Sequence, residues 1–339
     1  MRMTLRPFEL PLRHVFTISR GSTSVYRGLL VELEQEGAVG YGEAGESGYY
    51  GATVQNMTAA LESVRGKIEN WHLEDPQSLW EALNPELASN RFAQCALDMA
   101  AHDLWGKLRT SPVWQLWGLD ISESLPPTDY TIGLDAIQSM VAKLLEFPDW
   151  PVYKIKLGGN RDLEIIAELR KYTETTFRVD ANCAWTYDEA LSKASRLRDM
   201  GVELIEQPLP PDSWDAMREL YRQAPVPLIA DESCPIEPDV DRCRGAFHGI
   251  NVKLVKCGGL TPARKMLIRA RKLGLRTMVG CMTETTIGIS AAAQLLPLVD
   301  YADLDGALLL AADIATGVTI QRGRIAFPSR PGCGVELIE

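Results

Sequence analysis

From residue 126 onward, short apolar runs alternate with longer stretches whose apolar residues recur every three or four positions. The runs TDYTIG, VYKIKLG, FRVDAN, VELIEQP, PLIADES, GINVKLVKCGG, LRTMVGCM and VDYADLDG predict strands. The stretches DAIQSMVAKLLEF, DLEIIAELRKYT, TYDEALSKASRLRDM, SWDAMRELYRQ, TPARKMLIRARKLG and TTIGISAAAQLL predict helices between them. Only the segment after PLIADES is short and less regular. Strand–helix alternation signals a parallel sheet. Eight units over about 190 residues fit a closed (β/α)8 barrel better than an open doubly wound sheet. From residue 126 onward no G-x-G-x-x-G follows the early strands, which weakens a dinucleotide-binding alternative.

The first 120 residues follow another pattern. MTLRPFELPL, YRGLLVELEQ and AVGYGEA predict an antiparallel meander, with EQEG as a hairpin turn. Helical patterns follow, the longest being NRFAQCALDMAAHDLWGKLR. The expected division is an α+β unit over residues 1–120, a TIM-like barrel over 121–315 and a closing segment over 316–339 that packs back on the first unit.

Composition narrows the function. A net charge of −10 argues against nucleic acid or an anionic membrane as partner. No apolar run is long enough to span a bilayer, and MRMTLRPFELPLRH lacks a signal-peptide apolar core. Seven cysteines without a C-x-x-C pair suit free thiols in a reducing cytoplasm. The four histidines form no i,i+4 pair, so a histidine-based zinc site is not expected.

The predicted strand ends carry charge. In a (β/α)8 barrel the chemistry lies at the C-terminal ends of the strands. Read in order, those ends present Lys154 and Lys156, then Asp180, Glu206, Asp231 and Lys253, with Asp303 and Asp305 on the eighth. Lys154 and Lys156 share a strand face, about 7 Å apart. Taken alone, a K-x-K of this kind guards an edge strand. Taken alone, each acid is a cap or a loop residue. Together, three carboxylates on consecutive strand ends would converge like charges, which is tolerable only around a cation. Oxygen-only donors point to a hard ion, Mg²⁺. Asn182 and Glu232, close to Asp180 and Asp231 in the chain, are expected around these ligands rather than among them. Strands two and six face each other across a closed barrel, so Lys156 and Lys253 would approach a substrate from opposite sides. A lysine acts as a base only when neutral, and nearby cations lower its pKa. Lys156 is therefore expected to move a proton while Lys154 lends positive charge.

The motifs K-I-K, V-D-A-N, I-E-Q-P, A-D-E-S, N-V-K-L-V-K-C-G-G and D-L-D, in this order, resemble the enolase superfamily and within it the muconate lactonizing enzyme subgroup. The likeness spans essentially the whole chain, Y-G-E-A included. It implies a capping α+β domain over a modified barrel with one irregular terminal unit. It implies Mg²⁺ on Asp180, Glu206 and Asp231, joined by a substrate carboxylate. A base then removes the α-proton and the metal stabilises the enediolate, chemistry of the kind described for this superfamily. The base on the sixth strand matches Lys253. Lys256, three residues further, is expected to be a solvated loop lysine.

A-D-L-D-G and M-V-G-C-M-T-E-T look like the dipeptide epimerases of this subgroup. The resemblance implies a 1,1-proton transfer at the C-terminal residue of a dipeptide, with Asp303 and Asp305 on the substrate ammonium. Residues 14–24, HVFTISRGSTS, resemble a capping-domain loop of L-Ala-D/L-Glu epimerases, in which Arg20 matches an arginine that pairs with the glutamate side chain. Family members are often multimeric, and murein-peptide metabolism is implied by the likeness alone. The alternatives are N-acylamino acid racemisation, o-succinylbenzoate synthesis or cycloisomerisation on the same scaffold, or a non-catalytic barrel that binds a peptide or metal.

Overall fold

The structure, a computed structural model, describes residues 1–18, 21–121 and 124–338. It opens with three antiparallel strands, β1 (Arg2–Ile18), β2 (Gly21–Gln35) and β3 (Ala38–Gly45). Glu36 and Gly37 both have positive φ, which matches the twist of the β2–β3 hairpin. The arms β1 and β2 are longer than the sequence suggests. Residues 14–18 and 21–24, expected as loop, are strand, paired from Phe16–Thr23 to Ile18–Gly21 beyond an irregularity after Pro11. Arg20 lies outside the described residues.

Four helices follow, α1 (Val54–Glu69), α2 (Pro76–Leu87), α3 (Arg91–Leu108) and α4 (Val113–Leu116). Thr53, Asp75 and Asn90 cap the first three through side-chain oxygens that accept backbone N–H bonds. Met57, Leu61, Val64 and Ile68 form the buried stripe of α1 at helical spacing. The helix α3 is buried nearly all round. It lies so close to β3 that a Cβ at Gly42 would meet the Ala96 carbonyl oxygen at 2.0 Å. That is why the motif Y-G-E-A needs its glycine.

The barrel runs β4 (Tyr130–Ile132), α5 (Ile137–Glu146), β5 (Val152–Lys156), α6 (Asp162–Leu169), β6 (Thr176–Asp180), α7 (Tyr187–Asp199), β7 (Val202–Glu206), α8 (Trp214–Gln223), β8 (Leu228–Ala230), α9 (Asp239–Cys243), β9 (Gly249–Lys253), α10 (Leu254–Cys257), α11 (Leu260–Lys272), β10 (Arg276–Gly280), α12 (Thr286–Ala293) and β11 (Tyr301–Asp303). The eight strands pair in sequence order, and every ladder is parallel. A parallel bridge between Thr128 and Ala302 brings the two ends together. The irregular unit predicted after PLIADES holds only the five-residue α9. Since β5 lies between β4 and β6, the edge-guard reading of K-x-K fails.

The chain closes with β12 (Ala315–Thr316), β13 (Thr319–Gln321), β14 (Arg324–Ala326) and β15 (Glu336–Leu337), paired as β12–β15 and β13–β14. Cys333 N–H donates to Asp103 on α3 at 2.8 Å, and Lys107 Nζ donates to the Val335 carbonyl at 3.1 Å. Another tie crosses from α3 to the barrel, where Asp98 accepts from the N–H and the hydroxyl of Thr261, both at 2.8 Å. Among the described residues no helix is long and apolar enough to cross a membrane, and the seven cysteines are free thiols.

Candidate active site

The polar chemistry collects at one end of the barrel because several strands stop on a charged residue. Lys156 ends β5, Asp180 ends β6, Glu206 ends β7, Lys253 ends β9 and Asp303 ends β11; Asp231 follows β8 directly. Parallel register sets them side by side: Lys156 opposite Asp180, Asp180 opposite Glu206, and both Lys253 and Asp303 opposite Gly280. All are buried. Asp305 is buried too, but the strand stops at Asp303, so pleat parity does not place it. Its carboxylate is instead held by the N–H of Thr131 at 2.6 Å and the Thr131 hydroxyl at 3.2 Å.

Asp180, Glu206 and Asp231 each bring one carboxylate oxygen within 4.8 Å of the others. Their six oxygens divide in a regular way. One oxygen of each acid is tied back: Asp180 Oδ1 by the Asn182 N–H at 2.9 Å, Glu206 Oε1 by Asn251 Nδ2 at 2.9 Å, and Asp231 Oδ1 by Lys256 Nζ. The other oxygen faces an ammonium: Asp180 Oδ2 accepts from Lys156 at 2.7 Å, Asp231 Oδ2 accepts from Lys253 at 2.9 Å, and Glu206 Oε2 lies 2.8 Å from Lys154. Glu206 Oε2 receives no aligned hydrogen bond. A buried, oxygen-only set with this under-satisfied acceptor fits a hard divalent cation such as Mg²⁺.

The charges shift one another. Burial, and then the neighbouring Asp180, raise Glu206 to about 7. Burial pushes Asp180 the same way, but Lys156, Lys154 and Lys253 overcome it and hold Asp180 below the ordinary carboxylate range. Burial opposes charge at Lys154, yet Asp303, Glu206 and Asp180 raise it well above its ordinary value. Its Nζ stands 2.6 Å from Asp303 and 3.2 Å from Asp180. Burial opposes charge at Lys253 too, and Asp231 reverses that.

A second set, Cys281, Asp303 and Asp305, also converges within 4.8 Å. It suits a metal poorly. Burial, then Asp303, keep the Cys281 thiol protonated, and Asp303 already pairs with Lys154. Burial and the Asp303 charge raise Asp305 to about 7, so these two acids together favour an incoming positive group.

A cavity of about 700 Å³ opens above these groups. Lys156, Asn182, Asp231, Glu232, Lys253, Asp303 and Asp305 line it from the barrel. Phe16, Ile18, Val25, Tyr26 and Tyr50 line it from the N-terminal unit. Asp180, Glu206 and Lys154 lie outside this wall.

One expectation is corrected. Lys256 is not a solvated loop lysine; it is 3% exposed and donates to the Asp231 carbonyl at 2.7 Å as well as to its carboxylate. The short helix α10 folds back directly after β9 and turns the side chain inward. Sequence reasoning also passed over Asn251 and Gln207. Asn251 is two residues before Lys253, so strand parity could have found it. Gln207, left-handed at φ 34°, accepts the N–H of Asp231 at 3.0 Å and of Ser233 at 3.1 Å. No spacing announces that role.

Fold and site together define a class: a capped parallel (β/α)8 barrel whose strand ends interleave acids with amines. Residues 136–339 match the family model described as enolase C-terminal domain-like, and residues 2–118 match the mandelate racemase / muconate lactonizing enzyme N-terminal domain. The chain belongs to this family, within the enolase superfamily. It is 50% identical over 338 residues, 100% of both chains, to an L-Ala-D/L-amino acid epimerase of Flavobacterium johnsoniae. It is 42% identical to an L-Ala-D/L-Glu epimerase of Bacteroides thetaiotaomicron, over 100% of this chain and 88% of the relative. Among solved structures, it resembles a dipeptide epimerase from Enterococcus faecalis complexed with Mg and L-Leu-L-Tyr, with a TM-score of 0.93, 30% identity and 98% of both chains covered.

Proposed function

We propose that this protein is a Mg²⁺-dependent dipeptide epimerase, acting at the α-carbon of the C-terminal residue, with L-Ala-L-Glu and L-Ala-D-Glu as its substrate pair. One observation carries the reading. Lys156 and Lys253 come from strands on opposite sides of the barrel, line one cavity, and each touches an acid of the Asp180, Glu206 and Asp231 set.

A cation held by those three acids supplies positive charge where negative charge develops on the substrate carboxylate. The chain's own residues do the remaining work. Nζ of one lysine takes the α-proton from one face, and Nζ of the other delivers a proton to the opposite face. The reverse substrate exchanges the two roles. Lys154 stays among Asp180, Glu206 and Asp303 and offsets their charge. Asp303 and Asp305 hold the N-terminal ammonium, while Asn182 and Glu232 support the neighbouring ligands. In this reading residues 1–120 form the cap, 121–315 the barrel and 316–339 the closing segment. Arg20 pairs with the glutamate side chain, a role that rests on the sequence likeness. The enzyme would be a cytoplasmic homo-oligomer serving murein-peptide metabolism.

The test is exchange in D₂O. With Mg²⁺, L-Ala-L-Glu should gain one deuterium at the glutamate α-carbon and yield L-Ala-D-Glu; chelation should stop both. N-acetyl-L-Ala-L-Glu, which lacks the ammonium, should react very poorly. Absence of α-exchange in every free dipeptide tried would sink the reading. Equal reaction of the acetylated dipeptide would assign Asp303 and Asp305 another role and favour an N-acylamino acid substrate.

A further inference from the structure

The three acids of the proposed cation site share one design: each has one oxygen tied back and one oxygen turned towards an ammonium. A backbone N–H ties Asp180 and a neutral amide ties Glu206. Only Asp231 is tied by a charge. Lys256 Nζ reaches Asp231 Oδ1, the Asp231 carbonyl at 2.7 Å and the Asn251 carbonyl at 3.4 Å. Three acceptors match the three donors of an ammonium. Lys253, by contrast, lines the cavity and holds the other oxygen, Oδ2, at 2.9 Å. The two lysines therefore serve opposite oxygens of one carboxylate, and only one of them is on the cavity wall.

We infer that Lys256 is a positioning residue that reserves Asp231 Oδ1, so that Asp231 offers a cation a single oxygen and the site prefers Mg²⁺ to Ca²⁺. This rests on the reading that Asp180, Glu206 and Asp231 hold Mg²⁺. The physical reason lies in the two ions. Mg²⁺ demands near-octahedral coordination with short bonds, whereas Ca²⁺ accepts six to eight oxygens and welcomes bidentate carboxylates. Both Asp231 oxygens meet an ammonium here, but only Lys253, on the cavity wall, can turn Oδ2 over to a cation; with Oδ1 kept by Lys256 the carboxylate cannot chelate. Removing the Lys256 ammonium frees that oxygen and relaxes the restriction. It also removes a positive charge, which changes the affinity for both ions. Mg²⁺ and Ca²⁺ carry the same charge, so that effect largely cancels in the ratio of their dissociation constants. The ratio isolates the role of Oδ1.

The experiment is calorimetric titration of the folded, metal-stripped full chain with MgCl₂ and with CaCl₂ at equal ionic strength, before and after Lys256→Met. The ratio Kd(Mg)/Kd(Ca) should rise about tenfold or more in the variant, whichever way the individual affinities move. A ratio unchanged within about twofold overturns the inference and leaves the proposed site intact. Failure of the unaltered protein to bind Mg²⁺ overturns both. Should Lys256→Met not fold, Lys256→Gln serves: its amide is neutral and one bond shorter than the ammonium, so it holds Oδ1 less firmly. A rise in the same direction is expected there, and an unchanged ratio overturns the inference equally.

Discussion

Glu43 accepts hydrogen bonds from both the N–H and the hydroxyl of Thr285, at 2.7 and 2.6 Å. The contact joins β3 of the N-terminal unit to the head of α12 in the barrel. The same oxygen accepts the Gly288 N–H at 2.9 Å, and Tyr26 donates to the other oxygen at 3.0 Å. A carboxylate at a helix N-terminus is favoured by the unpaired N–H groups there. Burial nevertheless raises Glu43 to about 7, with Asp313 adding to the rise.

This joint should make stability fall with rising pH. Between about 4.5, the ordinary glutamate value, and about 7, folded Glu43 keeps a proton that the unfolded chain has lost. Stability is then lost as pH rises through that window and levels off above it. The loss is on the order of 3 kcal/mol at roughly 1.4 kcal/mol per pH unit. Glu284 is also pushed up, to about 8, by burial with a contribution from Glu43, so it adds to the slope. Glu43→Gln keeps the acceptor for Thr285 and cannot titrate. Urea unfolding at about pH 5 and about pH 7 should show a shallower fall in the variant. A slope equal to the parent's would mean that Glu43 does not carry it.

Lys154 should be a stability residue before it is a catalytic one. Its ammonium contacts Asp303, Glu206 and Asp180 inside the protein. Lys154→Met leaves buried carboxylates facing each other, and breaking such a network costs about 3–5 kcal/mol. The metal-free variant should therefore unfold at much lower urea. Added Mg²⁺ should recover more stability in the variant than in the parent, because the cation replaces the missing charge. Identical Mg²⁺ effects on the two proteins would contradict this.

Gly280 should act on Glu206 through Asn251. A Cβ at Gly280 would meet Asn251 Oδ1 at 2.5 Å and Nδ2 at 2.7 Å, and Asn251 Nδ2 is the donor to Glu206 Oε1. Asn251 is wholly buried, so its amide cannot swing aside without losing that bond. Gly280→Ala and Asn251→Ala should each lower kcat, by about tenfold for one hydrogen bond to a charged group. The double variant should be little worse than either single one. Additive losses would show that the two residues act independently.

Much of the site was legible in the chain because a parallel barrel exposes its strand ends on one side. Lys156, Asp180, Glu206, Lys253 and Asp303 each stand within an apolar run or at its end, and each ends its strand in the structure, β9 stopping at Lys253 although the predicted run GINVKLVKCGG continues beyond it. Lys256 was not legible, because its burial depends on α10 folding back within four residues of β9. Glu43 lay in a recognised motif, but its partner Thr285 is 242 positions away. The long β1–β2 arms were not legible because residues 14–24 are taken as loop from their likeness to a capping-domain loop, and that motif does not carry the cross-strand pairing from Phe16–Thr23 to Ile18–Gly21.

The two cavity lysines should separate by substrate hand. Lys156 and Lys253 stand on β5 and β9, four strands apart in a ring of eight, and each lines the cavity. An α-carbon between them presents its hydrogen to one lysine in the L form and to the other in the D form. Epimerisation needs removal on one face and delivery on the other, so Lys156→Ala and Lys253→Ala should each abolish it. Exchange of the α-hydrogen with D₂O needs only the lysine that faces it. One variant should therefore still exchange L-Ala-L-Glu and not L-Ala-D-Glu, and the other should show the opposite preference. Each residual exchange should run at least about tenfold slower than in the parent. Each substitution also takes from an acid, Asp180 or Asp231, one of the two ammonium groups it contacts here, and weakening a buried charge pair disturbs its surroundings. The comparison of epimers is made within one variant, so that disturbance affects both arms alike. Exchange of both epimers lost in one variant and kept in the other would point to a single base, and exchange of both epimers kept in both variants would point to a water that reaches both faces; either result would end the two-lysine mechanism.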